Sequence, residues 1–453
     1  MNWIVPYLGS FRSMLRLGGP LILSQLALMG IGVTDSIMLG WYSVEALAAG
    51  VLGHTVFFVI FIVGGGFGMA IMPLVASAVA RDAITEARRV TRMGLWLSIA
   101  YAAAVLPAFI YSEPLLVMIR QPAELAQLAS RYLSIVGFAM VPALIVLVLK
   151  SYLSAQELMR FALLTTIIGF IVNIPLNYVL IFGKLGVPEL GVEGSAIASF
   201  LVNSLMAICL CIYAAIKLPE QALFQRIWRP DWASMGTVTK LGLPISVTSL
   251  AEAGLFSAST LMMGWLGTVA VAAHGIALSI TSLTFVIHVG LSSAATIQVG
   301  HAFGANRLSD LKRSTIVASC ASAVIVALTV LLFLSMPEFL VSLYVDPMAP
   351  ELDEILIYGT LLLFMAALFS TVDAAQVMAL GMLRGIQDTS VPMGMAIVSY
   401  WIIGIPVAYW LAFTLEWGGV GLWAGLAIGL ACASFGLIGR FLILYRKLHA
   451  KAA

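Results

Sequence analysis

The chain has 453 residues, of which 62% are apolar and only 10% charged, against about 25% charged in an ordinary soluble domain. Twenty-three basic and 21 acidic residues cannot clothe a water-facing surface of this size, and the mean hydropathy of +1.06 requires lipid to replace water over most of it. These figures exclude a soluble enzyme, a disordered chain and a secreted disulfide scaffold, and the unbroken apolar runs exclude a β-barrel, whose strands alternate apolar and polar.

A spanning helix needs roughly 20 apolar residues. Twelve such runs are read in chain order: 17–39, 47–77, 93–112, 130–150, 161–183, 192–216, 241–265, 277–300, 314–336, 355–382, 392–414 and 419–443. The first follows a short N-terminus carrying Arg12 and Arg16 and reads as a retained anchor, with no cleavable signal peptide. It contains Asp35. The second holds Gly64-Gly65-Gly66-Phe67-Gly68, which suits close helix packing or a bend and is not a phosphate loop. The fifth carries Asn173 and Asn177 either side of Pro175, the seventh Glu252, and the tenth Asp373 with Gln376 three residues on. Cys209, Cys211, Cys320 and Cys432 all lie in apolar runs and are expected to be buried structural thiols. His54, His274, His288 and His301 have no metal-ligand spacing and read as structural, and no Walker A, HExxH or GxSxG motif is present.

The basic residues set the orientation. Twenty of the 23, including Arg88, Arg89, Arg92, Lys150, Arg226, Arg229, Arg384 and Lys451, fall in the N-terminus, the loops after even-numbered runs and the C-terminus. The opposite side holds Arg120, Arg131 and Lys184. Both termini are therefore expected to be cytoplasmic, and the number of spans even. The chain also repeats at an offset of 224: Leu17, Gly18 and Pro20 match Leu241, Gly242 and Pro244, and Glu86-Ala87-Arg88-Arg89 matches Asp310-Leu311-Lys312-Arg313. The offset later drifts, with Ile174-Pro175 matching Ile405-Pro406. An N-lobe at 1–216, a linker at 217–240 and a C-lobe at 241–453 follow, related by an axis along the membrane normal. That arrangement points to alternating-access transport.

Asp35, Glu252 and Asp373 are the acids placed inside runs, with no Lys or Arg read at comparable depth. Each costs about 2.5–3.5 kcal/mol to insert at mid-membrane, and protonation, a bound cation or a water-filled cavity relieves that cost. Asn173 and Asn177 share one helix face, and Pro175 frees a carbonyl. This set suits Na⁺ or a protonated Asp35, with interhelical hydrogen bonding as the alternative. The repeat aligns Asp35 with Ser259 and Glu252 with Leu28, so the halves are not equivalent. Gln25, Tyr132, Gln298 and Gln376 either line a cavity or hydrogen-bond in the core.

The chain resembles the multidrug and toxic compound extrusion (MATE) transporters, in particular their NorM branch. The residues that carry the resemblance are Gly19-Pro-Leu-Ile-Leu-Ser-Gln25, Val33-Thr-Asp35-Ser-Ile-Met-Leu-Gly40, Asn173-Ile-Pro-Leu-Asn177, Gly191-Val-Glu-Gly-Ser-Ala-Ile-Ala198 and Gly300-His-Ala-Phe-Gly304. It implies an all-α membrane fold, a V-shaped bundle of two pseudo-symmetric six-helix lobes, in the bacterial inner membrane. It implies export of small organic cations, such as fluoroquinolones and ethidium-like dyes, against Na⁺ or H⁺. It also implies a monomer with no cofactor, no enzymatic activity and no nucleic-acid partner. The family's N-lobe cation site falls on Asp35, Asn173 and Asn177, with Ser199 beside them, and the NorM C-lobe site on Glu252 and Asp373. A related superfold contains lipid-linked precursor flippases; these are expected to line their cavity with basic residues, which the sequence places nowhere at mid-depth.

Overall fold

The computed structural model describes residues 5–347 and 350–452, with the Lys451 side chain outside the description. Twelve helices are long and apolar enough to cross a membrane. They are α1 (Val5–Tyr42), α2 (Val44–Val79), α3 (Ile84–Ile110), α4 (Ala123–Ala155), α5 (Met159–Phe182) and α6 (Gly191–Lys217). The second set is α7 (Trp232–Gly264), α8 (Thr268–Gly304), α9 (Leu308–Ser335), α10 (Leu352–Gly385), α11 (Ser390–Thr414) and α12 (Gly418–Ala452). No strand occurs among the described residues. In hydrocarbon a helix satisfies its own backbone polar groups, so it is the structure available to a continuous apolar run.

Helices outrun the apolar segments because hydrogen bonding, not hydropathy, sets where a helix ends. The linker expected to run to residue 240 is helical from Trp232 onward. Asp231 starts that helix, its Oδ1 accepting the Ser234 amide at 3.1 Å. This hydrogen bond, with Arg89 nearby, holds the Asp231 carboxyl below its ordinary value. A group whose folded pKa is depressed contributes stability above the unfolded pKa and loses it as pH falls through the folded value. Protection of the Ser234 and Met235 amides, as exchange measured against the intrinsic rate at each pH, is therefore expected to fall on acidification below about pH 4, and Asp231→Asn to remove most of that dependence. Protection that is flat with pH in the unmodified protein would refute the capping role.

The internal repeat extends to the backbone. Left-handed residues occupy equivalent turns: Asp82 (φ 55°) and Asn306 (φ 54°) after α2 and α8, Glu157 (φ 61°) and Gln387 (φ 62°) after α4 and α10, Leu185 (φ 56°) and Glu416 (φ 58°) after α5 and α11. Asp and Asn tolerate this region best among non-glycine residues; the other four are held there by the turns.

Two compact units result, Leu23–Ser246 and Met1–Ile22 with Val247–Ala453. Their boundaries fall inside α1 and α7, so each unit keeps the first part of a helix whose remainder lies in the other. Glycines make this possible. A Cβ at Gly66 on α2 would collide with the Gly242 carbonyl and the Ser246 hydroxyl of α7 and lie 2.8 Å from the Ser246 amide nitrogen. The repeat-equivalent Gly290 on α8 would meet the Ile22 amide nitrogen of α1 at 2.8 Å. The Ser246 hydroxyl donates to Val63 O at 2.6 Å across the first contact. The Gly64–Gly68 run thus packs helices closely, as expected. Gly66→Ala must part α2 from α7 and is expected to cost about 2 kcal/mol, read as a lowered Tm in detergent, whereas Gly9→Ala, with open space beside it, should not.

Two expectations need correction. Cys320 and Cys432 are exposed and Cys209 and Cys211 half-buried: in a membrane chain an apolar run has an outer, lipid-facing side, so residence in the run does not mean burial. Many basic residues read as loop residues lie inside helices, and two of them, Lys150 and Arg384, are drawn into the protein. Lys150 belongs to α4, is 9% exposed, and donates from Nζ to Ser24 Oγ at 2.6 Å. Arg384 is half-buried in the last turn of α10. Apolar runs are ended by charge, which put Lys150 at the last residue of the run 130–150 and Arg384 just past the run 355–382, and counted both with the loops.

Candidate functional site

The unit Leu23–Ser246 gathers four polar side chains from three helices. Asp35 comes from α1, Asn173 and Asn177 from successive turns of α5, and Ser199 from α6. Pro175 lies inside α5 and lacks the amide that would bind one turn back. Asn173 Nδ2 donates to Asp35 Oδ1 at 3.0 Å and Asn177 Nδ2 to the same oxygen at 2.6 Å. Ser199 Oγ donates to Oδ2 at 3.1 Å, while Asn203 Nδ2 donates to the Ser199 carbonyl at 2.8 Å. Both asparagines are fully buried, and their Oδ1 atoms have no hydrogen-bond partner. Three donors on one carboxylate compensate an anion out of water. The two orphaned amide oxygens are hard acceptors that suit a cation or water.

Tyr132, on α4, is 3% exposed. It packs on Gly53 of α2, with ring carbon Cδ1 2.5 Å from where a Cβ would stand, close enough to Asp35 to interact electrostatically. Gln25 is half-buried on α1, next to Ser24.

The other unit holds a second cluster. Glu252 on α7 accepts from Gln376 Nε2 of α10 at 3.4 Å, and Asp373 one turn earlier interacts electrostatically with Glu252. Asp373 is 4% exposed and Gln376 fully buried. Two residues that the sequence reading did not pick out complete it. Tyr400, fully buried, lies in a π-helical stretch of α11, Val398–Gly404, and interacts electrostatically with Glu252 and Asp373. Arg384 interacts electrostatically with Glu252. No local signal marks Tyr400, because a π-helical turn shifts the helix face by about one residue. Arg384 does have a signal: it stands eleven residues after Asp373, about three helical turns, hence on the same face. Asp373 Oδ1, Gln376 Oε1 and the Tyr400 hydroxyl are all buried without a hydrogen-bond partner. Trp401 Nε1 donates to Ala251 O at 3.1 Å, fixing α11 against α7 beside Glu252. Two carboxylates and one guanidinium leave one negative charge, to be balanced by a proton or a cation.

Gln298 is not part of this cluster: its Nε2 donates to Ser13 Oγ at 3.2 Å. Ser259, aligned by the repeat with Asp35, turns its hydroxyl to its own helix at Phe256 O, 2.8 Å, so the second unit has no copy of the Asp35 site. His274 is fully buried between Trp423 and Thr260, at 3.0 and 3.2 Å, in keeping with a structural role. No group of three or more His, Cys, Asp or Glu that could hold a metal occurs among the described residues.

Twelve apolar helices, an internal duplication and one carboxylate cluster within the helices of each unit are the features of a multi-pass membrane transporter. The MatE family profile matches residues 20–179 and 244–410. A probable multidrug resistance protein NorM of Agrobacterium fabrum is 42% identical over 96% of this chain and 94% of its own. The chain belongs to the MATE family, in its NorM branch. The fold agrees with solved structures of low sequence identity. A crystal structure of a MATE protein in the bent conformation gives a TM-score of 0.87 at 20% identity, covering 100% of this chain and 99% of the other. A Pyrococcus furiosus transporter of the MOP superfamily, described as having a binding pocket of reversed polarity, gives 0.86 at 21% identity, covering 97% of each.

Proposed function

We propose that this protein is a secondary multidrug antiporter of the inner membrane. It exports small cationic, amphipathic compounds, of the fluoroquinolone and ethidium-like dye type, in exchange for Na⁺ or H⁺. Membership of the NorM branch supports the efflux reading. The observation that carries the coupling reading is the pair of carboxylate clusters, each with buried oxygens lacking partners. Asp35, Asn173, Asn177 and Ser199 form one ion site, Glu252 and Asp373 the other, with Gln376, Tyr132 and less directly Gln25 and Gln298 near the drug path. A 180° turn of an Asn side-chain amide exchanges donor for acceptor at little steric cost. The same pair therefore serves an ionised Asp35 as donors, and a Na⁺ ion or a protonated Asp35 as acceptors. Arrival of a cation removes the reason for the donors to point inward, which couples site occupancy to the α1–α5–α6 packing. Lobes at 1–216 and 241–453, a monomer and cytoplasmic termini complete the proposal. Transport requires no cofactor beyond the ion.

The lipid-linked flippase reading needs basic residues free to hold pyrophosphate. Lys150 is bonded to Ser24, and Arg384 faces Glu252, so neither favours it.

The test is ethidium efflux from proteoliposomes with Na⁺ and pH gradients imposed separately. Efflux driven by one or both is expected; efflux driven by neither overturns the antiport reading.

A further inference from the structure

The N-terminal turns of α3 and the segment preceding α7 enclose a cavity of about 610 Å³ lined by Arg88, Arg89, Arg92, Arg226, Arg229 and Asp231. All lie in one compact unit. Five guanidinium groups face one carboxylate. Arg89 pairs with Asp231 at 3.6 Å. Arg92 is spent on the backbone, donating from Nε to Leu223 O and from Nη2 to Ala222 O, both at 2.6 Å, which also holds the segment against α3. Arg88, Arg226 and Arg229 have no ion pair among the described residues, and the Arg88 Nε is buried without a hydrogen-bond partner. An unpartnered buried guanidinium N–H in a site with this charge excess calls for an oxyanion.

The duplicated loop gives the internal comparison. There Arg313 pairs with Asp310 of its own motif at 3.4 Å. In the first copy the equivalent acid, Glu86, pairs instead with Arg81 at 3.0 Å, so Asp231, paired with Arg89, is the one carboxylate among the cavity's arginines. Among the described residues, Arg88 is the arginine with a buried nitrogen lacking a partner, a feature beyond the general positive bias of this side.

We propose that this cavity binds the phosphate headgroup of an anionic phospholipid of the surrounding bilayer. The tryptophans identify the source. Trp228 and Trp232 are 71% and 75% exposed, one on each side of Arg229, and Trp96 donates from Nε1 to Ile227 O at 2.7 Å. Exposed tryptophans gather at the depth of lipid headgroups, and basic pockets at that depth take anionic headgroups. A bound phosphate ties Arg88 of α3 to Arg226 and Arg229, and so clamps the segment between α6 and α7 to the first unit. Transport by the carboxylate clusters does not enter this reasoning, and the site stands or falls apart from it.

The purified full-length protein, reconstituted in nanodiscs of phosphatidylcholine with and without phosphatidylglycerol, is stripped progressively with detergent, and retained lipid is read by native mass spectrometry. The unmodified protein is expected to retain phosphatidylglycerol in preference to phosphatidylcholine, less strongly as NaCl is raised. The triple variant R88Q/R226Q/R229Q is expected to lose that preference by about a hundredfold, at roughly fivefold per arginine. R307Q/K312Q/R313Q, which removes as much charge from the second copy, should keep it. Should the triple variant fail to fold, R226Q alone, on the exposed rim, should lose about fivefold. Equal retention in the unmodified protein and the variants overturns the site. Thermal protection by inorganic phosphate in detergent, without preference for phosphatidylglycerol, assigns it to free phosphate and overturns the lipid assignment.

Discussion

Asp35→Asn is expected to reduce drug efflux by at least tenfold under both Na⁺ and pH gradients while expression and Tm stay near those of the unmodified protein. The substitution keeps size and shape, so the packing of α1 against α5 and α6 survives. It removes the only feature at the site able to gain and lose a unit charge. The asparagine offers one oxygen where the carboxylate offers two, and three donors converge on that position, from Asn173, Asn177 and Ser199. With the new oxygen at the Oδ1 position both asparagine amides still donate to it, and the new NH2 group at the Oδ2 position donates to the Ser199 hydroxyl, which turns from donor to acceptor. The result is a site permanently in its neutral hydrogen-bonded state, with nothing to exchange for an incoming ion. Efflux within twofold of the unmodified protein under either gradient would remove Asp35 from the coupling site.

Arg384→Gln is expected to act in the opposite sense from loss of an acid. Glu252→Gln and Asp373→Asn each delete a negative charge and should weaken ion binding and efflux. Removing Arg384 deletes the positive charge that interacts with Glu252 and leaves two mutually repelling carboxylates uncompensated. The remaining charge of the cluster rises from one negative to two. A cation then binds more tightly, since an opposite charge at close range shifts such equilibria by about one unit or more. The half-saturating concentration of the coupling ion should fall about tenfold, and maximal efflux should fall with it, because an ion held tighter leaves more slowly. The measurement is efflux rate against Na⁺ concentration at fixed pH, and against pH at fixed Na⁺. An unchanged half-saturating concentration, with efflux merely reduced, would make Arg384 structural. The double variant Glu252→Gln with Arg384→Gln restores the cluster to one negative charge and should return the half-saturating concentration towards the starting value.

The two carboxylate clusters differ in how far their composition is visible in the sequence. Asn173 and Asn177 stand one turn apart on α5, and Asp35 is conspicuous as a carboxylate in an apolar run, so helical spacing and the cost of burying charge select all three. Glu252 and Asp373 are selected by that same cost. Tyr400 is invisible to this reasoning because its orientation depends on the π-helical stretch Val398–Gly404, and a tyrosine in an apolar run has many harmless uses. Lys150 and Arg384 were visible but misplaced. A charge at the end of an apolar run looks like a loop residue, although its helix continues and its head group finds a partner within the protein.

The sequence by itself determined the helical class, the number of spans, the duplication and the acids that lie in the membrane. Each follows from a local rule: apolar length, the cost of a buried charge, or spacing on one helix. Only the tertiary structure decided what those acids face. It brings Ser199 to Asp35 and Tyr400 and Arg384 to Glu252, and it divides α1 and α7 between the two units through glycine contacts at Gly66 and Gly290. It also gathers Arg88, Arg226 and Arg229 around one cavity in which Asp231 is the single carboxylate. These are contacts between residues far apart in the chain, set by which helix faces fit closely enough to exclude lipid, and no periodicity along one helix encodes the identity of its neighbour.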